Sequence, residues 1–126
     1  RTEVADAFVP GDHATTFGGQ PLAAAAARAV LQVMEAEDVP ARATAAGKRL
    51  TDGLGGLNGV AAVRGLGLLL AAELAEPIAK DVAARALSAG LVVTPVTESA
   101  IRLAPPLIVA DDEIDEAVVV LGQVLA

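Results

Sequence analysis

"VAAVRGLGLLLAAEL", residues 60–74, decides how this chain folds. The stretch is dense in apolar residues and punctuated by Gly65 and Gly67. It reads as two consecutive strands, 60–63 and 67–74, with the Arg64–Gly65 pair as the turn or kink between them. A link over residues 64–66 is far too short for a crossover, which takes a dozen or more residues. The sheet is therefore expected to be at least partly antiparallel.

Helices flank this strand pair. Upstream, Pro21 suits the first position of a helix, where its missing N–H costs nothing. Leu22, Ala26, Ala29, Val30 and Val33 then recur on one face, with Arg28, Gln32 and Glu35 off it. Pro40 separates this helix from a second, whose apolar stripe is Ala43, Ala46, Leu50, Leu54 and Leu57. Arg42, Lys48, Arg49 and Asp52 stay outside that stripe, and "GLNG" at 56–59 ends the helix. Downstream, a third helix is expected from Pro77 to just before Gly90, a C′ glycine. "LVVT" (91–94) and "AIRLA" (100–104) read as strands, joined by the loop "PVTES". Asp111 is expected to cap a last helix, with Asp112, Glu113 and Asp115 favoured in its first turn by the dipole. Ile114, Val118, Leu121 and Leu125 form its buried stripe. The order predicts an α/β fold, a small sheet covered by helices on one face.

At 126 residues the chain is long enough for one domain with a core. Much of its apolar content is alanine, and Phe8 and Phe17 are its only aromatics, so small side chains let helices approach closely. No cysteine is present, which excludes a disulfide framework and a thiolate zinc site. The net charge of −7 and the absence of a basic run argue against sequence-specific DNA binding. No apolar run approaches the roughly 20 residues of a membrane span, and nothing at the start reads as a signal peptide. The opening "RTEVADAF" carries no initiator methionine and reads as the middle of a longer protein.

Two constellations carry possible chemistry. "TTFGG", residues 15–19, sets two hydroxyls beside a glycine pair just before a helix N-terminus. Exposed N–H groups and the dipole there favour an anion such as a phosphate, and simple capping by Thr15 or Thr16 is the other reading. "IRLAPPLI", residues 101–108, places Arg102 inside an apolar stretch before a stiff double proline. Its guanidinium needs an acceptor: either a bidentate carboxylate ligand or an internal salt bridge. His13, the single histidine, reads as structural or as a base. Arg64 aims at solvent or at a partner domain, and the glycines around it lack the spacing of a dinucleotide site. The acidic set 111–116 lacks the spacing of a calcium loop, and no metal site is expected.

Taken together, "GDHATTFGGQPLAAAAARAVL", "VRGLGLLLAAEL" and "IRLAPPLIVADDEIDEAVVVL" resemble, in order and spacing, the C-terminal part of class III pyridoxal-phosphate aminotransferases. The acetylornithine and ornithine aminotransferase group is the nearest in flavour. The resemblance implies the C-terminal small domain of a fold-type I transferase, preceded by a long connecting helix. Residues 1–20 would close the large domain, 21–38 would be the connecting helix, and 39–126 the small α/β domain. It implies that Thr16, with Thr15 beside it, binds the phosphate of pyridoxal phosphate (PLP), serving the other subunit of a homodimer. It also implies that Arg102 binds the α-carboxylate of the amino acid or 2-oxo acid. The family usually has Asn at Gln20 and Gly at Ala14.

Transamination needs a lysine that forms a Schiff base and moves a proton. In the family it lies upstream, and neither Lys48 nor Lys80 matches its motif, so no catalytic residue is assigned in this chain. The expected whole enzyme is cytoplasmic and moves an amino group from N-acetylornithine, or a similar ω-amine, to 2-oxoglutarate in arginine biosynthesis. Ornithine, 4-aminobutyrate and succinylornithine are the alternative donors. The alternative of another class is a non-catalytic α/β interaction domain.

Overall fold

The computed structural model describes residues 2–12 and 14–126, so the expectation for His13 lies outside the described residues. The chain divides into two compact units, Arg1–Glu37 and Asp38–Ala126.

The first unit holds a short helix α1 (Thr2–Ala5), an irregular segment, and α2 (Pro21–Ala36). Pro21 opens α2 as expected, after an extended Gln20 (φ −64°, ψ 138°). No residue of α2 is buried, and Leu22, on its expected apolar face, is 83% exposed.

The second unit begins at Asp38, whose left-handed backbone (φ 46°) breaks the helical path. Aspartate tolerates that conformation better than most residues. The break falls two residues before Pro40, which instead sits in the first turn of α3 (Val39–Gly55). There follow β1 (Val60–Leu66), β2 (Leu69–Leu74), α4 (Ala79–Ser88), β3 (Thr94–Pro95), β4 (Ala100–Leu103) and α5 (Asp111–Leu125). The sheet order is β1-β2-β4-β3, and every neighbouring pair is antiparallel.

Several boundaries move from their expected places, each for a local reason. Arg64 and Gly65 lie within β1, and the hairpin turns at Gly67–Leu68 instead. Gly67 supplies the positive φ (54°) that a two-residue hairpin wants at its first position. Gly65 (φ 141°) serves a different end: any Cβ there would strike the Leu69 carbonyl across the ladder. The strand expected at 91–94 shrinks to Thr94–Pro95. Leu91 donates its N–H to Ala86 O (2.8 Å) and Gly90 to Leu87 O (3.1 Å), so this segment closes the end of α4. α4 itself starts at Ala79 rather than Pro77. Asp111 is the first residue of α5, not its cap. The cap is Ala110, whose N–H donates to Glu113 Oε2 (2.8 Å).

Strand alternation puts Leu70, Ala72, Leu74, Ile101 and Leu103 on one face, all buried. Leu50 and Leu54 of α3, Val82 and Ala86 of α4, and Ile114 and Leu121 of α5 join them in one apolar cluster. Small residues bring these layers close. A Cβ on Gly47 would collide with the Gly67 carbonyl, so α3 rides directly on the hairpin turn. Gly53 faces the Val118 side chain, and Gly122 faces Leu57. At the edge of the α3–α5 seam, Arg49 donates through Nε to Asp115 Oδ1 (2.8 Å) and through Nη2 to Oδ2 (2.6 Å). Its Nη1 reaches Asp111 Oδ2 at 3.3 Å. The hydrogen bond to Arg49 holds the Asp115 carboxyl below its ordinary range, and the same bond raises the Arg49 guanidinium.

Candidate functional site

The opposite face of the sheet carries charge. Register places Arg64 of β1 opposite Ala71 of β2, Ala71 opposite Arg102 of β4, and Arg102 opposite Thr94 of β3. Directly paired residues share a face, so these four form one row. The next row on this face is Ala62, Glu73 and Ala100.

Arg102 reaches this face because its neighbours cannot. Ile101 (1% exposed) and Leu103 (6%) point into the core, so alternation turns Arg102 outward. Pro105 and Pro106 follow at once, and Val109 N–H closes a turn on Pro106 O (3.0 Å). The exit from β4 is thereby stiff. An open groove of about 520 Å³ lies over this row, lined by both arginines together with Leu66, Leu69, Ala71 and Val96. The small Ala71 side chain between the arginines leaves the floor low. Leu66 (88% exposed) and Leu69 (60%) give it an apolar wall.

The two arginines differ in their state. Arg64 donates through Nε to Glu73 Oε1 at 2.7 Å. The Arg102 side chain has no hydrogen bond or ion pair among the described residues, so the internal salt bridge that its sequence context allowed does not form. An unpaired guanidinium in a part-apolar groove is suited to a carboxylate, which it can hold with two parallel N–H···O bonds.

Thr15 and Thr16 lie in the first unit, in the exposed segment before α2. Neither caps that helix: the N-cap residue is Gln20, and no side chain caps it. The one side-chain contact there is Gln20 Nε2 to Thr16 O at 3.5 Å, a long bond. Both threonine hydroxyls stay without a partner among the described residues. Gly19 adopts a left-handed backbone (φ 75°) with open space around it. Two free hydroxyls, a glycine pair and a proline-started helix are a donor set that fits a phosphate group.

The lysines stand apart from the groove. Lys48 is paired with Asp52 (2.5 Å) on the outer side of α3, and Lys80 lies in the exposed first turn of α4. Among the described residues no cluster of three or more histidine or acidic side chains could hold a metal, and no helix is long and apolar enough to cross a membrane. Glu73 and the place of Arg64 beside Arg102 were not evident from the sequence. The signal that finds them is register: both arginines sit opposite the same alanine.

Residues 1–125 match the family model for aminotransferase class-III. The acetylornithine aminotransferase of Corynebacterium efficiens is 46% identical over 124 residues, covering 98% of this chain and 31% of that protein. The crystal structure of acetylornithine aminotransferase from Elizabethkingia anophelis superposes with a TM-score of 0.79 at 31% identity, over 98% of this chain and 33% of that one. A PLP-bound amine transaminase from an uncultivated Pseudomonas species gives 0.78 at 34% identity, over 92% and 30%. The chain thus spans about a third of the length of such relatives. With a match over nearly all its residues, the chain belongs to the class III aminotransferase family.

Proposed function

We propose that these residues serve an aminotransferase that moves the amino group of N-acetylornithine, or a similar ω-amino substrate, to 2-oxoglutarate, a step of arginine biosynthesis. The observation that carries this reading is the unpaired Arg102 guanidinium in the open groove. The named relatives supply the choice of donor: the Corynebacterium and Elizabethkingia proteins are both acetylornithine aminotransferases.

In this reading residues 1–20 close the large domain, 21–38 connect, and 39–126 form the small domain of a cytoplasmic homodimer. Thr16 and Thr15 donate their hydroxyls to the phosphate of PLP. That cofactor, when bound, supplies the electron sink for the transfer. Arg102 binds the substrate's α-carboxylate and so fixes which carbon faces the reacting centre. The apolar wall of Leu66 and Leu69 thins the water around that ion pair, which strengthens it. Neither lysine of this chain lies in the groove, so the 126-residue chain alone has no transaminase activity. Borohydride reduction with PLP labels neither Lys48 nor Lys80 specifically; stable labelling of one of them contradicts this.

Arg102→Lys in the whole enzyme tests the assignment. Lysine keeps the charge but loses the planar fork. The KM for 2-oxoglutarate rises strongly, with little change in cofactor affinity or melting temperature. A lowered melting temperature with a normal KM means that the arginine is structural. For the phosphate contact, Thr16→Ala weakens PLP binding about tenfold or more, beyond the effect of Thr15→Ala, since a hydrogen bond to a charged group contributes about 1.5–3 kcal/mol. Equal or reversed effects place the contact elsewhere.

A further inference from the structure

The groove contains more charge than a single carboxylate clamp requires. Arg64 and Arg102 stand on either side of Ala71, each directly opposite it on a neighbouring strand. Glu73 lies two residues further along β2, on the same face, and is therefore diagonal to both arginines. Diagonal neighbours lie roughly 7–8 Å apart, which long side chains span. The carboxylate thus has two guanidiniums within reach. Sheet twist makes the two diagonals unequal, and the bond that forms is to Arg64, at 2.7 Å.

The consequence follows from burial. The Glu73 side chain is only 29% exposed, and a part-buried carboxylate is costly without a partner. If Arg64 loses its guanidinium, the next cation across the row is Arg102. We propose that Arg64 is a positioning residue: by holding Glu73, it keeps that carboxylate off Arg102 and leaves the second guanidinium open to the substrate's carboxylate. The groove then accepts one external carboxylate because the sheet's own, Glu73, is already held by Arg64. This inference rests on the reading of Arg102 as the carboxylate clamp.

The test is a small cycle in the whole enzyme: Arg64→Met, Arg64→Lys, Glu73→Gln, and the Arg64→Met/Glu73→Gln double variant. KM for 2-oxoglutarate, kcat and melting temperature are measured on each. Arg64→Met raises KM about fivefold, the upper range of an exposed ion pair expressed as a ratio, while kcat changes little. Arg64→Lys, which still holds Glu73, stays near the parent. Glu73→Gln alone leaves KM at or below the parent value, since Arg102 is already free. The double variant returns KM to near the parent value, because nothing remains to occupy Arg102. A merely structural pair predicts the reverse, with the double variant at least as impaired as either single one. An unchanged KM in Arg64→Met overturns the proposal, and so does a raised KM that Glu73→Gln fails to rescue. Arg102→Lys is run alongside. A normal KM there removes the clamp itself, whereas a raised KM there with no effect at Arg64 removes only the positioning role.

Discussion

The two faces of the four-stranded sheet are built from alternate residues of the same strands, yet they do different work. One face is apolar and closed by three helices, with Ala72 and Ile101 almost completely buried. The other carries Arg64, Glu73 and Arg102, with an open groove lined by the two arginines. On β4 the change occurs between adjacent residues: Ile101 stabilises the fold, and Arg102 stands outside the core. The difference shows that stability and ligand chemistry are separated here by strand period alone, one residue apart. They should therefore be separable by mutation.

The largest expected effect tests that separation directly. Ile101→Ala lowers unfolding stability by about 2–5 kcal/mol, the usual cost of truncating a buried branched side chain. Arg102→Ala changes stability by no more than about 0.5 kcal/mol, as for an exposed residue without partners. Denaturant titration of both variants checks the pair. Comparable losses at the two positions would erase the distinction between the faces.

Gly47→Ala probes how tightly the closed face is assembled. In an open helix this change would gain about 0.5–1 kcal/mol. Here the new Cβ meets the Gly67 carbonyl, a backbone atom that cannot rotate away. Overpacking of about 1–3 kcal/mol therefore wins, and the variant is destabilised. A stabilised variant would show that α3 does not bear on the hairpin turn.

The smallest effect is electrostatic and lies at the rim. The hydrogen bond from Arg49 lowers the Asp115 pKa in the folded state, so its contribution is fully present above the unfolded-state pKa of about 3.9. It is lost as pH falls through the folded value, because in that window the unfolded chain binds the proton more readily. Asp115→Asn should flatten this part of the acid limb of a stability-versus-pH curve and leave the shape above about pH 5 unchanged. An acid limb identical to that of the parent chain would mean that the pair contributes nothing to folding.

What the sequence disclosed follows the same division. The closed face was legible because a helix repeats every 3.6 residues: Leu50 and Leu54, and Ile114 and Leu121, are buried as their spacing implies. Family membership was legible because three motifs stood in order, and the match over residues 1–125 bears it out. The expected turn at Arg64–Gly65 falls three residues before the observed Gly67–Leu68 because two glycines compete for it, and only the backbone distinguishes Gly67, which turns, from Gly65, which admits the facing strand. The strand expected at 91–94 is shorter in the fold because the Leu91 N–H is committed to the end of α4. The outward direction of Arg102 could be inferred from alternation. Its neighbours across the sheet could not, since Arg64 and Glu73 meet it only through a register that no single strand reveals.

The proposed function turns on one contact, Arg102 with the substrate's carboxylate. The most direct measurement compares, in the whole enzyme, kcat/KM for a 2-oxo acid with that for the aldehyde of the same chain lacking the carboxylate. Both are measured for the parent and for Arg102→Leu. If Arg102 holds the carboxylate, the parent strongly favours the 2-oxo acid and the variant loses about tenfold or more of this preference, the worth of a charged hydrogen bond. That loss should come almost wholly from the 2-oxo acid. An equal fall for both substrates would contradict it, since a residue that reads the carboxylate cannot matter equally to a substrate without one.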